Sequence, residues 1–245
     1  MNVEVRGVVK TFEGRTALAI EELQIPTGQV FGLVGSNGAG KTTFLRLLLD
    51  LILPDTGAVM IDGENVRESN AWKSATGSFL DESFLIDFLT ADEFLQFLGR
   101  VYQIPNNDLE RLLLPYQPFY PDELFGATQK FLRELSRGNA KKIGLIGAMF
   151  FGPRLLILDE PFATLDPRSQ IKLKQLISDL TRKFGTTAIV SSHDLLHVSE
   201  ICDRIAVLEK GRIVRDFPRT PETLSELRRY FEMDQPDSTE TYVRD

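Results

Sequence analysis

Eight residues constrain this chain more than any other stretch: Gly35-Ser36-Asn37-Gly38-Ala39-Gly40-Lys41-Thr42. They follow the spacing G-x-x-x-x-G-K-[ST]. Glycine has no Cβ, so the backbone at Gly35, Gly38 and Gly40 can curl and aim successive N–H groups at one anion. The run Gln29-Val30-Phe31-Gly32-Leu33-Val34 before it predicts a buried strand, and Thr43-Phe44-Leu45-Arg46-Leu47-Leu48-Leu49 after it predicts the start of a helix. A helix beginning there adds its own free N–H groups and the positive end of its dipole. Strand, glycine loop and helix are the context a phosphate-binding loop needs. In such a loop the Lys41 ammonium reaches the outer phosphates of a nucleotide, and the Thr42 hydroxyl holds Mg²⁺.

The other candidate residues emerge along the chain. Val3 to Phe12 alternates as a strand does, Glu13-Gly14 is a turn, and Ala17 to Ile25 reads as a returning strand before Pro26. Phe12, at the strand end, could stack on a flat base, but alone it reads more simply as a core aromatic. Leu45 to Leu53 predicts a helix ended by Pro54-Asp55-Thr56-Gly57. Val59-Met60-Ile61 with Asp62-Gly63 predicts a short strand and hairpin, and Thr76 to Leu80 another strand, with Asp81-Glu82 directly after it.

From Leu85 to Phe151 the pattern turns helical, an insertion between two β-containing parts. Ala91 to Tyr102 carries Phe94, Leu95, Phe97, Leu98 and Val101 at helical spacing, with Thr90 and Glu93 placed as an N-terminal cap. Pro105, Pro115, Pro118 and Pro121 then cut the chain into short pieces, and Asp122 to Glu134 resumes helical character. Leu135-Ser136-Arg137-Gly138-Asn139 opens an apolar helix, Ile143 to Phe151; its Ser136 and Gly138 make either a second anion site or a simple cap.

Leu155-Leu156-Ile157-Leu158-Asp159-Glu160 reads as a buried parallel strand ending in two acids. Ligands of α/β sheets bind outside the carboxyl ends of strands. Asp159 is thereby placed for the Mg²⁺ shell of a phosphate-loop enzyme, and Glu160 to orient or deprotonate a water. Arg168 to Phe184 predicts an amphipathic helix and Thr186 to Ser191 a strand, followed by Ser192-His193-Asp194. His193, again at a carboxyl end, is either structural or a phosphate contact. Arg204 to Leu208 and Arg212 to Val214 predict a hairpin, Pro221 to Met233 a terminal helix, and Asp234 to Asp245 an acidic disordered tail.

Composition excludes several classes. A net charge of −7 argues against nucleic acid as the main partner, because phosphate backbones require clustered Lys and Arg. The single cysteine, Cys202, excludes an internal disulfide and fits a reducing compartment and a place in the core. No stretch reaches the roughly 18 apolar residues that span a bilayer; the longest run, Ile143 to Gly152, stops at Pro153-Arg154. Met1 to Arg6 has no signal-peptide character. The chain is therefore expected in the cytoplasm without direct insertion into the bilayer, so that any membrane role comes through a partner.

In this order the motifs resemble the ATP-binding subunit of ABC transporters, over Val3 to Val214. Gly35 to Thr43 is similar to the Walker A loop, Leu135 to Asn139 to the family signature, and Leu155 to Glu160 to Walker B with its catalytic Glu. Ala163-Thr164-Leu165-Asp166-Pro167 resembles the D-loop, and Ser192-His193 the H-loop. The resemblance implies an α/β fold: a P-loop NTPase (RecA-like) core with an antiparallel β subdomain and an inserted α-helical signature subdomain. As one domain over 1–245, positions 1–80 and 152–215 would form the core with its β subdomain, 81–151 the helical subdomain, and 216–245 a C-terminal helix and acidic tail.

It further implies ATP and Mg²⁺ as ligands and ATP hydrolysis coupled to transport. Gly35, Ser36, Asn37, Gly38, Ala39, Gly40, Lys41, Thr42 and Thr43 would cradle the phosphates, and Phe12 would stack on adenine. Thr42 and Asp159 would hold Mg²⁺, while Glu160, His193 and Lys41 would carry the catalysis. Two subunits, most simply a homodimer, would sandwich ATP head to tail, with Ser136 and the N–H of Gly138 reaching the γ-phosphate across the interface and Asp166 linking the two sites. The partner would be an integral-membrane permease, contacted partly by Phe79 to Phe88, which places the subunit on the inner face of the cell membrane.

Two motifs depart from the family pattern. The signature reads Leu-Ser-Arg-Gly-Asn, where Gly is usual third and Gln fifth; a basic third residue is familiar from export-type subunits. Asp81 stands where the Q-loop has Gln or Glu as a metal ligand, with Glu82 next to it as the alternative. The short helical insertion and the lack of a long C-terminal regulatory domain resemble exporters with a separate ABC-2-type permease. Two alternatives accompany this reading: a soluble ABC ATPase acting as a mechanical or regulatory switch, and a low-turnover nucleotide-binding module.

Overall fold

The computed structural model describes residues 1–120 and 130–233. The predicted helical stretch Asp122–Glu134 lies outside them as far as position 129; of its remainder, Phe131 bridges Thr90 and Leu132–Glu134 form a 3-10 turn. Pro121 and the predicted disordered tail, Asp234–Asp245, also lie outside them.

Two sheets organise the fold. Strand β1 (Val3–Phe12) pairs antiparallel with β2 (Arg15–Ile25) and β4 (Thr56–Ile61), and β5 (Glu64–Asn65) extends the sheet in the order β2-β1-β4-β5. The larger sheet runs β10-β9-β3-β8-β7-β6, with β3 (Val30–Val34), β6 (Thr76–Phe79), β7 (Leu155–Leu158), β8 (Thr187–Ser192), β9 (Arg204–Glu209) and β10 (Arg212–Pro218). All its pairs are parallel except β9–β10 at the edge.

The continuous apolar runs follow from burial on both faces of this parallel sheet. Every residue of β3, β7 and β8 is buried. Period-2 alternation then sends neighbours to opposite layers. Leu155 and Ile157 join the cluster formed with the antiparallel sheet and helix α1 (Lys41–Leu48). Leu156 and Leu158 join the other cluster, with α2 (Ala91–Val101), α4 (Arg137–Met149) and α5 (Pro167–Phe184). Close packing fixes α4 on β6: a Cβ on Gly77 would come within 1.8 Å of the Ala148 carbonyl oxygen. The loops at the carboxyl ends of β3, β7 and β8 therefore open on one rim, where the candidate residues sit.

Three local readings change. Helix α1 stops at Leu48 rather than Leu53. Asp50 adopts a left-handed φ of 54°, its N–H bonds the Leu47 carbonyl, and Leu51 N–H bonds that of Arg46. This is a Schellman termination with Asp where Gly is usual, so no glycine marks it. Helix α3 (Asn106–Leu113) starts immediately after Pro105, which is the N-cap of that helix and not simply a breaker. Helix α6 (Leu195–Ile201) spans seven residues, too few to show a helical period, and Asp194 caps it. The chain closes with α7 (Thr223–Met233). Among the described residues no helix is long and apolar enough to cross a membrane.

Candidate functional site

The glycine loop wraps a cleft of about 230 Å³ lined by Ala17, Ser36 to Thr43, Asp159 and Glu160. Its path requires glycine at particular points. Gly40 has φ 109°, and a Cβ there would lie 2.7 Å from the Ala17 carbonyl oxygen. At Gly35 the same atom would meet the Leu208 carbonyl oxygen at 2.3 Å. Lys41, only 6% exposed, folds back over the loop. Its Nζ donates to the carbonyls of Gly35 at 2.6 Å and Ser36 at 3.3 Å. An ammonium resting on backbone carbonyls at the rim of an N–H-lined cleft is poised for an anion.

Asp159 follows β7 directly and is 6% exposed. Its two oxygens accept from different elements of the fold, Oδ2 from the Thr42 hydroxyl of α1 at 2.5 Å and Oδ1 from the Ser191 hydroxyl of β8. Thr42 Oγ1 and the Asp159 carboxylate thus form an all-oxygen pair beside the cleft. That donor set fits Mg²⁺, which takes one or two carboxylates from protein and fills its octahedron with phosphate oxygens and water. Asp81 is placed elsewhere. It caps the 3-10 turn Glu82–Phe84, accepting the Ser83 N–H at 2.7 Å, and neither it nor Glu82 lines the cleft.

Glu160 sits at a left-handed φ of 45°. For a residue with a Cβ this costs about 1–3 kcal/mol and persists only where the surroundings over-determine it. Here they do. Its N–H donates to Ser191 Oγ at 3.0 Å, and its carbonyl accepts Ala163 N–H at 3.2 Å and Lys141 Nζ at 2.8 Å. Of the carboxylate, Oε2 accepts the His193 backbone N–H at 3.3 Å and lies 2.8 Å from His193 Nδ1. Nδ1 carries the proton in that contact, since a carboxylate only accepts; Nε2 of the half-exposed ring faces away from it. The other oxygen, Oε1, is buried and has no protein hydrogen-bond donor. Lys41 Nζ approaches it at 3.3 Å as an ion pair, without hydrogen-bond alignment.

A second recess of about 410 Å³ is lined by Ser136, Arg137, Gly138, Asn139, Lys142, Thr164, Leu165 and Asp166. It shares no residue with the first. Ser136 caps α4, its Oγ accepting the Asn139 N–H at 3.3 Å. Lys142 pairs with Asp166 at 3.4 Å. Hydrogen bonds from Ser169, with Lys142 adding to them, hold the exposed Asp166 carboxyl down at about 2. Phe12 lines neither recess. It stands 47% exposed at the end of β1, with Lys10 Nζ 5.3 Å from the ring centre.

Lys41, Thr42, Asp159, Glu160 and His193 are therefore brought together, whereas Ser136, Gly138, Phe12 and Asp81 do not line the cleft. Two further residues belong to the site. Ser191 bridges Asp159 and Glu160, and Lys141 grips the turn after Glu160. Ser191 had a signal in its place at the end of a buried strand. Lys141 had one in being charged within an apolar helix.

Comparison with known proteins places the chain. The sequence pattern of ABC transporters matches residues 19–163, more than half of it. The bacitracin transport ATP-binding protein of Enterococcus faecalis is 31% identical, over 96% of this chain and 75% of its own length. An uncharacterized ABC transporter ATP-binding protein of Synechocystis is 34% identical over 78% of this chain, which spans only 54% of that relative. A methionine import ATP-binding protein of Carboxydothermus hydrogenoformans is 29% identical over 79% of this chain and 58% of its own length. The chain thus spans little more than half of some of the relatives it matches. A solved ATP-binding subunit of an ABC transporter superposes with a TM-score of 0.81 at 25% identity, covering 96% of this chain and 95% of that one.

Proposed function

This chain belongs to the ABC transporter family, and on that premise we propose that it is the ATP-binding and ATP-hydrolysing subunit of a transporter, driving a separate integral-membrane permease in the export direction. The observation that carries the hydrolytic reading is the Glu160 carboxylate: one oxygen is fixed by His193, and the other is buried without a donor beside Lys41. An acceptor held in that way has the geometry of a general base for a water at the end of the phosphate cleft.

The steps follow from the residues. The N–H groups of Gly38 to Thr42 and the start of α1 take the phosphates. Lys41 exchanges its carbonyl contacts for the outer phosphate oxygens. Thr42 and Asp159 would hold Mg²⁺, which would supply positive charge to neutralise that of the phosphates. Glu160 takes the proton of the attacking water, while His193 fixes the carboxylate through Nδ1 and presents its ring to the γ-phosphate. Phe12 offers an exposed ring for adenine. Ser136 and Gly138, in a recess of their own, act on the nucleotide of a second subunit.

Serine 136 gives a direct test of that division. Ser136→Ala is expected to lower hydrolysis by about 10²–10³-fold, the effect of losing one donor to the developing charge, and to leave ATP binding by the dilute chain unchanged. Isothermal titration beside a phosphate-release assay measures both. Loss of binding as large as that of Lys41→Ala would defeat the assignment across a dimer.

A permease partner is supported by the family and by the groove formed by α2, α4 and the segment after β6, which Phe84, Leu85 and Ile86 line, Phe84 being 53% exposed, whereas Phe79 is buried in the core. The export direction is our reading of the short helical insertion and of the basic third residue of the signature, Arg137; the aligned relatives include a bacitracin transport protein and proteins of methionine and of sulfate/thiosulfate import. The purified chain is expected to ignore protein-free liposomes and to co-purify from detergent-solubilised native membranes with a polytopic protein. Flotation with bare vesicles, or isolation without any membrane protein while hydrolysis is intact, would overturn this part of the reading.

A further inference from the structure

Lys141 lies in the second turn of α4 and is 5% exposed, flanked by the fully buried Ile143, Leu145 and Ile146 further along the helix. A buried ammonium is unfavourable unless its donors are satisfied, and an apolar residue would fill the space without that burden. Its Nζ does not reach the cleft. It donates instead to two backbone carbonyls of the turn that follows β7, Glu160 at 2.8 Å and Ala163 at 3.0 Å. Burial lowers the Lys141 pKa from its ordinary value, and the carboxylates of Glu82, Glu160 and Asp159 oppose that shift. The contact is part of a strip along the start of α4. Gly138 comes close to the Thr164 carbonyl, where a Cβ would sit at 3.1 Å, and Lys142 pairs with Asp166 at 3.4 Å.

We propose that Lys141 is a positioning residue for hydrolysis: its ammonium clamps the Glu160–Ala163 turn, holds Glu160 in its left-handed conformation, and so fixes the carboxylate against His193 and the cleft. The backbone of Glu160 has three anchors, from Ser191, Ala163 and Lys141. Of these, only Lys141 comes from α4, the helix that also carries Ser136 at its start. A displacement of α4 therefore pulls on the peptide of the base. The inference rests on Glu160 acting as general base, and its test separates the two.

The test uses the full chain and single-turnover hydrolysis of radiolabelled ATP with Mg²⁺. Lys141→Met keeps the length of the side chain and removes both hydrogen bonds. It is expected to lower the rate constant about 10- to 100-fold, the penalty for misplacing a catalytic group by a fraction of an ångström to an ångström. ATP affinity should stay within about twofold, since no phosphate contact is lost. In a Glu160→Gln background the same substitution should cost less than about twofold, because two residues acting through one group are not additive. A residue needed only for folding would cost the same factor in both backgrounds, and that result overturns the proposal. A rise in KM with unchanged kcat overturns it as well. Lys141→Arg retains donors for both carbonyls and is expected to hold the rate within about threefold of the parent; a loss equal to that of Lys141→Met, at unchanged Tm, counts against the clamp. If Glu160→Gln hydrolyses at the parental rate, the assignment of Glu160 fails. If that variant is slow while Lys141→Met is fast, only the clamp fails.

Discussion

Glu160→Gln is expected to slow MgATP hydrolysis by about 10²–10⁴-fold while leaving ATP affinity close to that of the parent. Gln is nearly isosteric with Glu but cannot take a proton from water. The local contacts say how much else changes. Glu160 Oε2 accepts the His193 N–H and faces Nδ1, and an amide oxygen can keep both contacts. The amide nitrogen then replaces Oε1 beside Lys41 Nζ, now 3.3 Å from a carboxylate oxygen. That ion pair is lost, which frees Lys41 for phosphate. Thr42 and Asp159 are untouched, so the Mg²⁺ donors remain.

A variant that binds but does not turn over should also keep the ATP sandwich closed. Size-exclusion chromatography with Mg²⁺ and ATP should show more dimer for Glu160→Gln than for the parent. The two must be compared at the same nucleotide and salt, since mass action alone shifts the equilibrium. Equal hydrolysis by parent and variant would remove Glu160 from the chemistry. A parent without hydrolysis, even beside its permease, would instead favour a low-turnover module and direct attention to Asp81.

Much of this site is legible in sequence because its parts are local. The glycine loop, the strand before it and the helix after it lie within twenty residues, and the two acids close a strand whose continuous apolar run marks it as buried from both sides. What the sequence hides depends on contacts between distant segments. Ser191 lies 32 residues from Asp159 and joins it only because β7 and β8 are neighbours in the sheet. Lys141 is 19 residues from Glu160 and reaches it only because α4 crosses the turn after β7. Sequence spacing also cannot say where Asp81 points. Its carboxylate is used by the N–H two residues on, a local competition that Asp enters more readily than the longer Gln or Glu. The early end of α1 is hidden for a similar reason, since Asp50 takes the left-handed position that a glycine would have advertised.

Lys41→Ala should have the largest effect on binding, weakening MgATP affinity by about 10- to 100-fold, which corresponds to the ~1.5–3 kcal/mol of a hydrogen bond to a charged group. The side chain is nearly buried, so its charge acts through a medium that screens it less than water does. Its Nζ donates to the carbonyls of Gly35 and Ser36, contacts it gives up for phosphate. The measured loss is therefore a difference between two sets of contacts, which keeps it below the gross strength of an ammonium–phosphate pair. The loop itself should survive, because its path is fixed by Gly40 against Ala17, Gly35 against Leu208, and the Gly211 N–H bonded to the Ala39 carbonyl at 2.9 Å. Thermal unfolding without nucleotide is then expected near that of the parent. With MgATP at about 100 times the parental Kd, the parent gains about 2.7 kcal/mol from ligand, whereas a variant bound 100-fold more weakly gains only about 0.4 kcal/mol. Across the expected 10- to 100-fold loss, the nucleotide-induced shift in Tm should thus fall to between about a half and a sixth of the parental shift, and a shift of parental size would show that Lys41 does not hold the phosphates.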